Sequence, residues 1–201
     1  MIFQGQEFAA TTPFFYFADH SPELNKLVRE GRAKFLSQFR NIACPDAQAI
    51  LVDPGSEETF RRSKLSFADR ERNAPIYKMH RDLLRLRRED PSLLGAEFID
   101  GAVLSHDSFV LRYFTARSDD RILLVNLGRE IFLNPAPEPL LAPMEGKGWR
   151  VLWSSESPDY GGSGTPALET SANWIIPGNA AVLMGPDENS ELPKIKLNQA
   201  D

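Results

Sequence analysis

A chain of 201 residues, 42% hydrophobic and 25% charged, has ordinary globular balance, which excludes a disordered chain and leaves room for one large or two small domains. Its formal net charge of −5 comes without any basic block, so it offers no footprint for nucleic acid. No apolar run reaches the ~18 residues of a membrane span, and the single Cys44 with the scattered His20, His80 and His106 gives neither an intrachain disulfide nor metal-ligand spacing.

The apolar opening Met1-Ile2-Phe3-Gln4 reads as a short buried strand ended by Gly5, with Gln6 and Glu7 just past its C-terminal end. Residues 11–20 follow as an aromatic-rich loop: Pro13 disfavours helix before it, and Phe14, Phe15, Tyr16 and Phe17 are closed by Ala18-Asp19-His20. Ser21-Pro22-Glu23 is a helix start, with a capping hydroxyl, a proline at the first helical position and an acid in the first turn. Leu24, Leu27, Val28, Phe35 and Phe39 then share one face, which predicts a helix over 22–39. Residues 42–55 are connection, with turn chemistry at Cys44-Pro45-Asp46 and Asp53-Pro54-Gly55. Ser56 caps a short helix over 57–64. Pro75 begins the clearest helix, striped by Ile76, Met79, Leu83 and Leu86 and stopped by Pro91.

After Leu94 short strand patterns take over, at 102–104, 108–114, 121–126, 130–133, 149–153, 174–176 and 180–184. Turn signals separate them, among them Ser118-Asp119-Asp120, Glu145-Gly146-Lys147-Gly148 and Pro177-Gly178-Asn179. Strands of this length and spacing predict an antiparallel β-sandwich. The fold class is therefore α/β followed by all-β: a strand–helix portion over 1–95, a sandwich over 100–186, and a polar tail over 187–201 that frays.

Carboxylates at the C-terminal end of a barrel strand sit on the face where chemistry happens, so Glu7, with Asp19 and His20 in the loop that follows, could line one cleft. Phe17 and its aromatic neighbours would supply stacking surface. The plainer reading makes Glu7 a salt-bridge or cap residue and Asp19 a carboxylate that structures its loop. Asp19-His20-Ser21 is not a hydrolase triad, because no nucleophile elbow accompanies it. His80 and His106 read as ordinary helix-face or strand residues, and Trp149, Trp153 and Trp174 as sandwich core or rim. The glycine loop Tyr160-Gly161-Gly162-Ser163-Gly164 lacks the spacing of a phosphate cradle.

Several strings resemble one family. Phe3-Gln4-Gly5-Gln6-Glu7-Phe8-Ala9-Ala10-Thr11-Thr12-Pro13-Phe14 is similar to the end of the eighth barrel strand of α-amylase-type glycoside hydrolases. Tyr16-Phe17-Ala18-Asp19-His20, Pro22-Glu23-Leu24, Glu30-Gly31-Arg32, the run Thr59 to Leu65, the helix Tyr77 to Asp90, and Trp153-Ser154-Ser155-Glu156 with the glycine loop narrow the resemblance to the maltooligosyltrehalose trehalohydrolases. The resemblance implies the last strand–helix portion of a (β/α)8 barrel followed by a C-terminal β-sandwich, in a cytoplasmic enzyme without metal or organic cofactor. That enzyme hydrolyses the α-1,4 bond next to the terminal trehalose unit of a maltooligosaccharide-type substrate. It uses a retaining carboxylate pair supported by a third carboxylate. In the family the three lie on the fourth, fifth and seventh barrel strands, all expected before Met1, so no catalytic residue is assigned and the chain alone is expected to be inactive. Glu7, Phe17, Asp19 and His20 are the substrate-binding candidates, with no nucleic-acid or membrane partner. Two other readings stand beside this one: another α-amylase relative such as a glycogen branching enzyme, against which residues 17–20 and 63–65 argue, and a non-catalytic carbohydrate-binding module built on the sandwich.

Overall fold

The structure is a computed structural model that describes residues 1–169 and 173–188, and the chain divides into two compact units, Met1–Tyr77 and Lys78–Asp201. The division falls inside one helix, earlier than the change in sequence texture after Leu94.

The first unit is helical. Helix α1 (Pro22–Leu36) starts where the cap predicts, with the Leu24 N–H donating to Ser21 Oγ at 3.4 Å. It ends three residues short of the expected Phe39, because the Gln38 and Phe39 N–H groups turn to the Phe35 and Leu36 carbonyls in tighter, three-residue turns. Helices α2 (Pro45–Ala49), α3 (Glu57–Arg62) and α4 (Ala68–Arg72) are each about one turn long. Helix α5 (Ala74–Glu89), which passes into the second unit at Lys78, carries the expected apolar stripe. Helix α6 (Pro91–Leu94) follows at once, because Asp90 Oδ1 accepts both the Ser92 and Leu93 N–H groups at 2.9 and 3.1 Å.

The expected strand at Met1–Gln4 is absent. Residues 1–3 are irregular and exposed, and all seven strands among the described residues start at Phe98 or later. A strand exists only where a neighbouring strand takes up its N–H and C=O groups, and no strand among the described residues pairs with residues 1–4. Instead Gly5, at φ +80°, turns the chain into a single 3-10 turn at Gln6–Phe8. A Cβ on Gly5 would lie 2.7 Å from Ala10 Cβ and 2.8 Å from Leu65 Cδ2, so both the backbone angle and the packing demand glycine. Phe8 is the buried anchor of this turn, and the Asn73 side-chain amide donates to the Phe8 and Ala9 carbonyls, both at 3.0 Å. Residues 1–95, expected to be the end of a barrel, are thus helices and loops without the expected strand.

The second unit is an antiparallel β domain. Strands β1 (Phe98–Ser105), β2 (Ser108–Phe114), β3 (Arg121–Asn126), β5 (Gly148–Ser154) and β7 (Ala180–Asp187) form one sheet in the order β1-β2-β3-β7-β5. Strands β4 (Ile131–Leu133) and β6 (Trp174–Ile176) pair as a separate ribbon. Period-two alternation explains the core: Val110, Ile122, Leu124, Val182 and Met184 come from one face of the five-stranded sheet, and Trp174 and Ile176 from the ribbon. Leu141, Trp149 and Leu168 complete the core, and Trp149 donates its indole N–H to the Leu141 carbonyl at 2.8 Å. The buried Arg112 is tolerated because Asp120 pairs with it at 3.0 Å and the Ala142 carbonyl takes another of its N–H groups at 2.6 Å. The polar tail expected over 187–201 does not begin at its first residue: Asp187 closes β7, and residues 189–201 lie outside the described residues.

Candidate functional site

The first unit holds a cleft of about 640 Å³ between two backbone segments. Phe17 and Asp19 line one wall, Gly55, Ser56 and Glu57 the other, and Phe60 closes it. The walls are tied together by the Ala18 N–H, which donates to the Pro54 carbonyl at 2.9 Å, and by the Phe17 and Phe60 rings, whose centroids are 5.0 Å apart at 68°. Edge-to-face rings at this distance attract each other through their quadrupoles.

Each wall has its own anchor. Thr59, buried on α3, donates its hydroxyl to the Asp53 carbonyl at 2.6 Å, and Ser56 Oγ caps α3 by accepting the Glu58 N–H at 3.2 Å. The aromatic segment is pinned to α3 by Ser63, whose Oγ accepts the Phe15 N–H at 3.0 Å. Upstream, the buried Asp69 takes both the N–H and the hydroxyl of Thr11, at 2.9 and 2.8 Å. These two bonds hold its carboxyl below the ordinary value of 3.8, against the opposing effect of burial. Three further aromatic contacts extend the row: Phe3 against Phe14 at 5.1 Å, Phe14 against Phe17 at 6.0 Å, and the Arg32 guanidinium over Tyr16 at 4.7 Å.

An open cleft with carboxylates on both walls and half-exposed phenyl rings suits a neutral, hydroxyl-rich ligand: the carboxylates accept hydroxyl hydrogens and the rings cover C–H faces. Phe17 and Asp19 therefore meet in one place. Glu7 is in the 3-10 turn, half-buried, rather than at a strand end, and is not among the residues lining the cleft. His20 is exposed beside it, and its carbonyl accepts the Asn25 side-chain N–H at 3.1 Å. Sequence reasoning missed Glu57 and Phe60. The Asp53-Pro54-Gly55 turn and the Ser56 cap were visible, but nothing in the sequence brings residues 54–60 against residues 17–19. Among the described residues no group of three or more His, Cys, Asp or Glu could hold a metal ion, and no helix is long and apolar enough to cross a membrane.

The second unit carries a separate charged cluster. Lys78 donates to Asp159 at 2.9 Å and to Asp82 at 3.0 Å, and the Tyr160 hydroxyl donates to Asp82 at 3.0 Å. The two carboxylates raise the Lys78 ammonium above its ordinary value, and Lys78 in turn holds Asp82 below its own. Every member is paired, so the cluster fastens the Pro158–Tyr160 turn to α5.

Residues 96–174 match the family model described as "Domain of unknown function (DUF3459)". Among curated proteins, the malto-oligosyltrehalose trehalohydrolase of Deinococcus radiodurans is 43% identical over 133 residues, 65% of this chain and 21% of that protein. The protein of the same name from Rhizobium sp. (strain M-11) is 35% identical over 144 residues, 70% of this chain and 22% of that protein. That from Saccharolobus solfataricus is 37% identical over 90 residues, 44% of this chain and 13% of that protein. The chain thus spans about a fifth of the length of the first two relatives. Among solved structures, a mutant of the trehalulose synthase MutB has a TM-score of 0.49 at 15% identity, covering 92% of this chain and 35% of that one. The α-amylase from H. orenii has a TM-score of 0.46 at 15% identity, covering 66% and 25%. By its sequence matches the chain is similar to part of the malto-oligosyltrehalose trehalohydrolases.

Proposed function

We propose that this chain serves as the C-terminal portion of an enzyme that hydrolyses the α-1,4-glucosidic bond next to the terminal trehalose unit of a maltooligosyltrehalose and releases trehalose. The 43% identity over 133 residues to the D. radiodurans trehalohydrolase carries the reading. In the retaining chemistry such an enzyme uses, one acid protonates the leaving oxygen while a second carboxylate attacks the sugar. None of the carboxylates responsible is assigned to this chain, so by itself it is expected to release no trehalose. Its contribution is the cleft: Phe17 and Phe60 give apolar cover, Asp19 and Glu57 accept sugar hydroxyls, and His20 follows Asp19 at its edge, while Glu7 lies outside it. The Glu57 carboxylate is already oriented by Arg61 at 2.6 Å.

The test is a chimera in which this chain replaces the matching part of the D. radiodurans relative. Trehalose release from a maltooligosyltrehalose is the expected result, with Asp19→Asn raising KM several-fold. A folded chimera that forms branched glucan, or that cleaves without releasing trehalose, overturns the reading.

A further inference from the structure

Helix α1 touches both walls of the cleft with one face, although it lines neither. Asn25 and Arg29 are four residues apart on α1 and so lie on the same side. Asn25 Nδ2 donates to the His20 carbonyl at 3.1 Å, which holds the end of the wall carrying Phe17 and Asp19. Arg29 Nη1 donates to Asp53 Oδ2 at 3.3 Å, and Asp53 Oδ1 accepts the Gly55 N–H at 2.9 Å, which fixes the turn carrying the opposite wall. Between the two, Gly55 lies against the Asn25 amide. A Cβ at position 55 would sit 2.7 Å from Asn25 Nδ2 and 2.8 Å from Cγ. A side chain at position 55 would have to displace the Asn25 amide, and with it the donor to the His20 carbonyl.

We propose that Asn25 and Gly55 form an interlocked pair of positioning residues that sets the spacing of the two cleft walls, and with it the fit of a glucosyl unit between Phe17 and Asp19 on one side and Glu57 on the other. The ligand class rests on the function proposed above; the interlock rests on the geometry alone. The Ala18 N–H, which bridges the walls through the Pro54 carbonyl, reports on it directly.

The experiment is amide hydrogen exchange and chemical-shift mapping on the full chain, with maltotriose as probe. Asn25→Ala and Gly55→Ala are each expected to speed Ala18 exchange roughly tenfold, shift the Phe17 and Asp19 resonances, and weaken maltotriose binding roughly tenfold, the size of one lost hydrogen bond. The double variant is expected to be no worse than Asn25→Ala alone, because alanine at 25 removes the atoms that a Cβ at 55 would strike. Asn25→Asp, which keeps the shape and loses the donor, gives the same readout if either alanine variant fails to fold. Unchanged Ala18 exchange in folded single variants, or additive losses in the double, overturns the interlock. A wild-type chain that ignores maltotriose while Ala18 responds as described supports the interlock and overturns the sugar reading.

Discussion

Asp69 shows how a single buried carboxylate can organise a loop. Its two bonds to Thr11 and its contact with Arg72 at 3.2 Å favour the ionised form more strongly than burial disfavours it. Because its pKa is lower folded than unfolded, the stabilisation is complete above the unfolded value and disappears as pH falls through the folded one. Asp69→Asn is therefore expected to melt below the wild type at neutral pH, with the gap closing in acid. Thermal unfolding at a series of pH values checks this, and a gap that stays constant or widens in acid contradicts it. The charge type of residue 69 was plain from the sequence. Its partner was not, because Thr11 lies 58 positions away.

At the scale of elements, strands were read best where alternation was bounded by turn residues. Ser108–Phe114, Arg121–Asn126 and Trp174–Ile176 have the limits that the pattern predicts. Helices α2, α4 and α6, of five, five and four residues, were missed because elements so short carry no periodic stripe and are decided by caps and local bonds. The reading of Met1–Gln4 as a strand failed for a different reason: an apolar run records a tendency to be covered and says nothing of what covers it. Within the sheet, Leu124 on β3 is buried at 1% exposure between β2 and β7, paired with Val110 and Val182. Leu124→Ala should lose about 2–4 kcal/mol, the transfer free energy plus the cavity left among rigid neighbours. Urea denaturation followed by tryptophan fluorescence measures it. A loss under about 1 kcal/mol would show that the core collapses around the gap.

For the whole molecule, apolar burial is uneven. Of the buried hydrophobic residues among those described, only Phe8 belongs to Met1–Tyr77, and the rest lie at or beyond Val110. Burial of apolar area is the main term favouring folding, so residues 78–188 expressed alone are expected to give a cooperative melt with a β-type circular dichroism spectrum. Residues 1–77 alone are expected to melt broadly. A sharp transition in the shorter piece, or none in the longer, overturns that expectation. The sequence by itself determined that the chain is β-rich after Leu94, roughly where those later strands lie, and which family it resembles, since these depend on periodicity, turn chemistry and local strings. Only the tertiary structure decided that Asp19 shares a cleft with Glu57 and Phe60, that Glu7 does not, and that Gly55 lies against the Asn25 amide. Those facts depend on which distant segments pack together, and packing is a property of the folded surface that no local pattern contains.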